Sequence, residues 1–204
     1  RKMQLLYQSA LKEIGTKLEI LNDEFKFVHK YNPIEHIKSR IKTSESIVKK
    51  LRRHGYESTI ENMVKYVNDI AGIRVICSFT SDIYRIAEMI RLQNDIHVIA
   101  VKDYIRLPKA SGYKSYHMLV TVPVFLSDRT VDVKVEIQIR TVAMDFWASL
   151  EHKINYKFEG NAPEHVKREL IECAGMVSAL DNRMQELNEE IKALSKEDTD
   201  GPDG

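Results

Sequence analysis

Apolar and polar positions divide the chain into helical ends around a strand-rich middle. Leu5, Leu6, Leu11, Ile14, Leu18, Leu21 and Phe25 recur at near-helical spacing and predict a helix over about 1–30. Asn32-Pro33 breaks it, and Pro33 suits the first turn of a second helix. Ile34, Ile37, Ile41, Ser44, Val48 and Leu51 follow at steps of three and four, predicting one amphipathic helix to about His54, closed by Gly55. A short third helix is expected over 57–67.

"GIRVICSF" (72–79) is a β-branched run bounded by breakers, hence a buried strand. Ser81 or Asp82 is the expected cap of a helix carrying Ile83, Ile86, Ala87 and Ile90. "IHVIAVKDY", "SYHMLVTVPV" and "VDVKVEIQIR" read as three further strands, the last two an antiparallel pair joined through "LSDRT". Within "KVEIQIRT" the alternation is strict: Val135, Ile137 and Ile139 share one face, Glu136, Gln138 and Arg140 the other. Ala143 to Tyr156 is helical again, with Phe146 and Trp147 expected as core anchors. Pro163 opens a long helix to about Leu194, and the acidic tail from Ser195 is expected to be disordered. The predicted class is α+β, a sheet flanked by helices with long N- and C-terminal helices.

Composition narrows the function. A chain of 204 residues holds one domain with helical extensions. Its 31 basic and 30 acidic residues leave a net charge of +1, so global charge supports neither RNA as main partner nor a membrane surface. No apolar run approaches the roughly 20 residues that span a bilayer, and the chain opens on Arg1-Lys2 without the pattern of a signal peptide. Cys77 and Cys173 stand far apart outside any Cys-x-x-Cys pair, and no His-x-x-x-His or His-x-His pair occurs. That excludes a disulfide framework and zinc-hydrolase chemistry, and the expected compartment is a reducing cytoplasm.

Candidate chemistry lies in four places. Lys42, Ser46, Lys50 and Arg53, at steps of four, four and three, line one face of the expected second helix, with Lys38 and Arg40 near its start. Such a stripe suits a polyphosphate, although alone it reads first as a solvated face. Asp69 precedes the first strand and Arg74 lies within it, beyond the small pair Ala71-Gly72. "KASGYKSYH" supplies Lys109, Ser111, Gly112, Tyr113, Lys114 and His117, giving donors for phosphate and a ring on which a base can stack, with no P-loop pattern. Asp69 and Glu136, on different strands, could share a Mg²⁺ bound to nucleotide phosphates, and the set together describes a phosphoryl-transfer site. Glu151, His152 and Lys153 form a polar helix turn that reads first as solvated, and His54, His97 and His165 take no role.

"HIKSRIKTSESIVKKL", "NDIAGIRVICSF", "KDYIRLPKASGYKSYH" and "VEIQIRTVAMDFWASLEHKINYK", in that order over about 32–194, resemble the small alarmone synthetases, the stand-alone synthetases of the RelA/SpoT homologue family. The resemblance is to stand-alone members, which implies a synthetase without a hydrolase domain and its metal-binding histidines. The resemblance implies a nucleotidyltransferase-like mixed sheet, with a catalytic core at 32–160. An N-terminal helical extension at 1–31, an oligomerisation helix at 161–195 and a tail at 196–204 complete the implied organisation. It implies transfer of the β,γ-pyrophosphate of ATP to the 3′-OH of GDP or GTP, giving ppGpp or pppGpp and AMP. By motif position Arg40 and Arg74 would sandwich adenine, and Lys42, Ser46 and Lys50 would hold the ATP phosphates. Asp69 would be the main Mg²⁺ ligand, with Glu136 close to the metal and acting as base. Tyr113 would stack on guanine, with Lys102, Lys109, Lys114, His117 and Gln138 around phosphates and acceptor. A homotetramer through the terminal helices is implied too. Activation by pppGpp is expected to be weak or absent, since His36, Lys38 and Asp145 replace the effector-site residues of activated relatives. Two rival functions are transfer to another acceptor, such as the tRNA 3′ end, and a non-catalytic nucleotide- or RNA-binding module.

Overall fold

The computed structural model describes residues 1–199. In chain order the elements are α1 (Lys2–His29), β1 (Ile34–Ile41), α2 (Ser44–Arg53), α3 (Ile60–Tyr66), β2 (Ala71–Cys77) and α4 (Thr80–Arg91). There follow β3 (His97–Asp103), β4 (Tyr116–Phe125), β5 (Thr130–Thr141), α5 (Val142–Lys157) and α6 (Glu164–Thr199). The sheet order is β1-β2-β5-β4-β3, with β2 and β5 parallel and every other neighbouring pair antiparallel. This is a mixed sheet, and β4 and β5 pair as expected.

One face of the sheet is the core. Val75, Val120, Val135, Ile137 and Ile139 are fully buried there, and α1 covers them with Leu6, Tyr7, Ala10, Leu11, Ile14 and Leu18. From α4, Ile83, Ile86, Ala87 and Ile90 join the same cluster. Each fully buried aliphatic side chain contributes about 1.5–3 kcal/mol, so this layer fixes which way β5 faces. With Val135, Ile137 and Ile139 held inward, Glu136 and Gln138 must emerge on the opposite face.

The expected second helix is corrected. Ile34–Ile41 is an edge strand, and only Ser44–Arg53 is helical, capped by the Thr43 hydroxyl, which accepts from the Ser46 amide at 3.2 Å. The cause of the misreading is a β-bulge between Ile34 and His36, where Ile34 pairs with Cys77 and His36 with Ile76. The extra residue resets the strand's parity, so Ile34 and Ile37 reach the same face across a step of three. Ile37 to Ile41 is an even step, so a bulged strand reproduces helical spacing. Lys42 consequently precedes α2 and is not part of a helical stripe. The sheet has five strands where four were expected.

Smaller corrections concern the helix termini. Phe79 occupies the N-cap of α4, while Asp82 sits one turn in and accepts from the Phe79 amide at 3.2 Å. Trp147 is buried as expected, with its indole N–H donating to Leu170 O at 2.8 Å, but Phe146 is 64% exposed and anchors no core. α6 runs to Thr199, past the expected end at Leu194 and into the expected tail. The rest of that tail, 200–204, lies outside the described residues.

Candidate active site

The polar face of the sheet is organised by register. Lys38 pairs with Arg74, Arg74 with Gln138, Gln138 with His117 and His117 with Lys102, so one row of polar side chains crosses all five strands. The next row runs Arg40, Gly72, Glu136, Leu119 and Ala100. Paired residues share a face. Gly72 therefore leaves the floor open between the Arg40 guanidinium and the Glu136 carboxylate. The α5 helix follows β5 directly and forms the wall of a cleft of about 870 Å³ above these rows. Arg40, Lys50, Arg74, Lys102, Lys109, Tyr113, His117, Glu136 and Gln138 all line it. Most of the residues singled out by sequence thus meet in one place, although they come from six secondary-structure elements and one loop.

Asp69 stands in the turn feeding β2. Lys42 and Lys50 donate to its two oxygens at 2.9 and 2.8 Å. Burial works to raise the Asp69 pKa, and the hydrogen bonds and charges of Lys50 and Lys42 overcome it, so the net displacement is downward. The carboxylate is held ionised. Two sequence candidates lie elsewhere. Ser46 is exposed, its hydroxyl oxygen accepting from Thr43 at 2.9 Å. Lys114 faces a small groove with Gly112, Met144, Trp147, Ala174 and Val177.

On the β5 side the organising residue is Arg140, only 4% exposed. Its guanidinium donates to Ser115 Oγ at 3.2 Å, Asp145 Oδ1 at 3.0 Å, Gln138 Oε1 at 2.8 Å and the Tyr113 hydroxyl. Gln138, its oxygen thereby fixed, turns its amide N–H toward Glu136 Oε1 at 2.7 Å. An arginine only donates, so the Tyr113 oxygen accepts, and the Tyr113 hydroxyl in turn donates to His117 Nε2 at 2.9 Å. His117 must then be the neutral Nδ1–H tautomer. Burial, with Arg140, Lys109, Lys102 and Arg74 adding to it, pushes its pKa down to about 3. Burial likewise lowers the Arg74 pKa, helped by Arg140, and the buried Arg74 Nε has no hydrogen-bond partner among the described residues.

Tyr113 is positioned by its neighbours. It packs on Trp147, Ala148 and Ala174, while the Lys109 ammonium lies 5.0 Å from its ring centroid and Tyr104 meets it edge-on at 6.1 Å. The preceding Gly112 has φ +96°, and a Cβ there would stand 2.7 Å from Ala174 Cβ. Only glycine lets this loop lie so close to α6. Sequence reading did not weigh Tyr104, Ser149 or Asn155, and it gave Glu151, His152 and Lys153 to solvent, yet all six line the cleft. The available signal was helical spacing: Ala148, Glu151, His152 and Asn155 share the face of α5 nearest the end of β5. Burial raises the Glu151 pKa, against Asn155, Lys109, His152 and Arg140, which pull it down.

Of the expected effector residues, His36 and Lys38 are exposed on β1. Asp145 is ion-paired at 3.0 Å to Arg140 and 3.5 Å to Arg74. Its charge is compensated, so it opposes a nearby phosphate less than an unpaired carboxylate would.

The donor set near Asp69 and Glu136 suits a hard cation such as Mg²⁺. Asp69 and Glu136 are hard oxygen donors, and Gly72, three residues after Asp69, pairs directly with Glu136. No group of three or more His, Cys, Asp or Glu capable of holding a metal occurs among the described residues. Mg²⁺ bound through one or two carboxylates and substrate phosphates needs no such group. The residues fit.

Comparison with known proteins agrees with this geometry. A family model described as "Region found in RelA / SpoT proteins" matches residues 39–161. The GTP pyrophosphokinase YwaC of Bacillus subtilis is 48% identical over 187 residues, covering 92% of this chain and 89% of that relative. The crystal structure of small alarmone synthetase 2 from Bacillus subtilis superposes with a TM-score of 0.85 at 45% identity, covering 93% of this chain and 97% of the other. Small alarmone synthetase 1 from the same organism, bound to its product pppGpp, gives a TM-score of 0.87 at 37% identity, covering 94% and 97%. The same synthetase bound to AMPCPP gives 0.81 at 35%, with the same coverage.

Proposed function

The chain belongs to the family of the region found in RelA / SpoT proteins, and on that premise we propose that its cleft is the site of a GTP pyrophosphokinase. The enzyme transfers the β,γ-pyrophosphate of ATP to the 3′-OH of GDP or GTP, making the alarmones ppGpp or pppGpp and releasing AMP. The observation that carries this reading is Glu136, held by Gln138 at 2.7 Å on the floor of a cationic cleft with Tyr113 on its far side.

In the proposed mechanism, Arg40 and Arg74 flank the adenine of ATP, and Lys42 and Lys50 meet its phosphates. Ser46, one turn into α2, is assigned to the same phosphates. Guanine stacks on Tyr113, while Lys102, Lys109 and Gln138 face the acceptor and its phosphates. Neutral His117 can donate only through Nδ1, which makes it a hydrogen-bond partner and not a charge. Lys114 is a weaker assignment, because it faces the groove beside Trp147. Glu136 accepts the proton of the 3′-OH as that oxygen attacks the β-phosphorus, and the bond to the α,β-bridging oxygen breaks with departure of AMP. Negative charge growing on the transferred group and on AMP is met by the surrounding lysines and arginines. Asp69 and Glu136 would hold Mg²⁺, which supplies further charge neutralisation at the phosphates when bound.

Assembly is proposed to be a homotetramer through the terminal helices. Leu180, Met184, Leu187, Ile191 and Leu194 follow the alternating steps of a helix–helix seam on α6, each 44–61% exposed. No helix is long and apolar enough to cross a membrane, and substrates of this class point to the cytoplasm. RNA is not expected as the main partner.

The test is incubation with ATP labelled in its β- and γ-phosphates plus GDP, GTP or deacylated tRNA, with nucleotides resolved by chromatography. Label moving as a pair to GDP or GTP, with AMP released, is the expected result. Label on tRNA alone supports the other acceptor, and ATP binding without transfer supports a non-catalytic module.

A further inference from the structure

The cleft is built for polyanions, yet two carboxylates line it, Glu136 and Glu151. Glu136 has the attacking hydroxyl as its partner. Glu151 shares its walls with Lys50, Lys102, Lys109, Arg40 and Arg74. There a negative charge repels phosphate unless the ligand presents donors at that point.

The position of Glu151 identifies which part of a ligand it meets. Ala148, one turn earlier on the same face of α5, packs with Trp147 against Tyr113. Lys109, whose ammonium lies 5.0 Å from the Tyr113 ring centroid, also acts electrostatically on Glu151. A base stacked on Tyr113 therefore turns an edge toward this stretch of α5. One turn further on, Asn155 donates to Glu151 Oε1 at 2.8 Å, which orients the carboxylate and leaves Oε2 and the second lone pair of Oε1 to accept.

We propose that Glu151 selects the acceptor base by accepting hydrogen bonds from the N1–H and 2-amino group of guanine. The Watson–Crick edge of guanine offers two adjacent donors, which match the two oxygens of a carboxylate. Adenine offers the N1 lone pair at the same place, which a carboxylate repels, so ATP is excluded from the acceptor side. The pairing requires an ionised Glu151. Burial raises its pKa overall, while Asn155, Lys109, His152 and Arg140 pull it down, and two donors on the base act in the same direction as those four. This assignment rests on the reading of the cleft as a GDP/GTP site with Tyr113 as its platform.

The experiment compares kcat/KM for GDP and IDP at saturating ATP, in the wild type, Glu151→Ala and Glu151→Gln. Hypoxanthine keeps N1–H and lacks the 2-amino group. Wild type is expected to prefer GDP by about 10- to 100-fold, the range for a hydrogen bond to a charged group. In Glu151→Ala the ratio should fall to within about threefold of unity, the KM for ATP staying as it was. Glu151→Gln, which keeps the size and one acceptor, should lie between, and it carries the comparison if the alanine variant fails to fold. A purely structural role would slow both substrates equally and leave the ratio at its wild-type value. That result, or a wild type indifferent to the 2-amino group, overturns the assignment. A wild type that makes no product from GDP or GTP strikes the proposed function instead, so the two failures are distinguishable.

Discussion

Glu136 lines the cleft and Asp69 stands behind it, bonded to the cleft-lining Lys50, and the protein holds the two carboxylates by opposite means. Asp69 is gripped by two ammonium groups at 2.8 and 2.9 Å, and its pKa is displaced downward. Glu136 receives one neutral amide N–H at 2.7 Å, from a glutamine whose orientation is set by buried Arg140. A carboxylate neutralised by two lysines is suited to standing charge, such as a metal–phosphate cluster that those lysines also meet. One held by a neutral donor keeps oxygen lone pairs available for a proton. The difference in environment argues for a division of labour between anchor and base.

Replacing each acid in turn tests that division. Glu136→Gln is expected to have the largest effect, lowering kcat by about 10²- to 10⁴-fold, the range for removal of a general base. ATP binding, followed by calorimetry, should remain near the wild-type value. A Glu136→Gln enzyme with ordinary turnover would remove the base assignment. Asp69→Asn should cost about 10²-fold at a fixed Mg²⁺ concentration, recovered in part as Mg²⁺ is raised. An unchanged Mg²⁺ dependence would take Asp69 out of the metal site and leave the two acids equivalent.

The next test reaches the support beneath Glu136. Arg140→Lys keeps the charge but loses the fork that reaches Ser115, Asp145, Gln138 and Tyr113 together. Urea unfolding should show a loss of about 1–3 kcal/mol. The kcat/KM for GDP should fall by about tenfold, since both Gln138 and Tyr113 lose their orientation. Retained kinetics with lost stability would make Arg140 a fold residue only.

Legibility in the sequence followed the same physical divide. The alternation of β5 was readable because it is a central strand with one face sealed by α1 and α4, so its polar face had to open into the cleft. β1 was not, because it lies at the sheet edge with little burial, and its bulge gives three isoleucines helical spacing. Arg40, grouped with the cationic stripe although its element was misread, lines the cleft because its pairing with Gly72 places it in the row of Glu136. Asn155 and Glu151 escaped because a polar turn of helix looks the same whether it faces solvent or a ligand. Only the direction in which β5 delivers α5 decides which, and that is a tertiary fact. The close packing of Gly112 on Ala174 was hidden for the same reason: no local pattern announces which helix a loop will touch.

The smallest expected effect concerns His117, where the network of Arg140 and Tyr113 meets the end of the polar row. Its folded pKa, about 3, lies below the ordinary value of 6.5, so the unfolded chain binds the proton more tightly. The stability this neutral imidazole contributes is therefore fully present above pH 6.5 and is lost as pH falls from there toward 3. The slope from this one group is at most about 1.4 kcal/mol per pH unit. Asp69, also displaced downward, loses its contribution only as pH falls below the ordinary carboxylate value of 3.8, so the two residues act in largely separate windows. Asp82, Asp181 and Glu151 are displaced upward by burial and act with the opposite sign. They stabilise at low pH and lose that contribution as pH rises, which makes the raw pH profile of the wild type ambiguous. The difference between wild type and His117→Gln is not, because the carboxylates are common to both. Unfolding in urea at pH 7, 6 and 5 should show the wild type losing stability relative to the variant at each step down. Parallel profiles would mean that His117 is protonated in the folded state, and the Tyr113 hydroxyl would then need another acceptor.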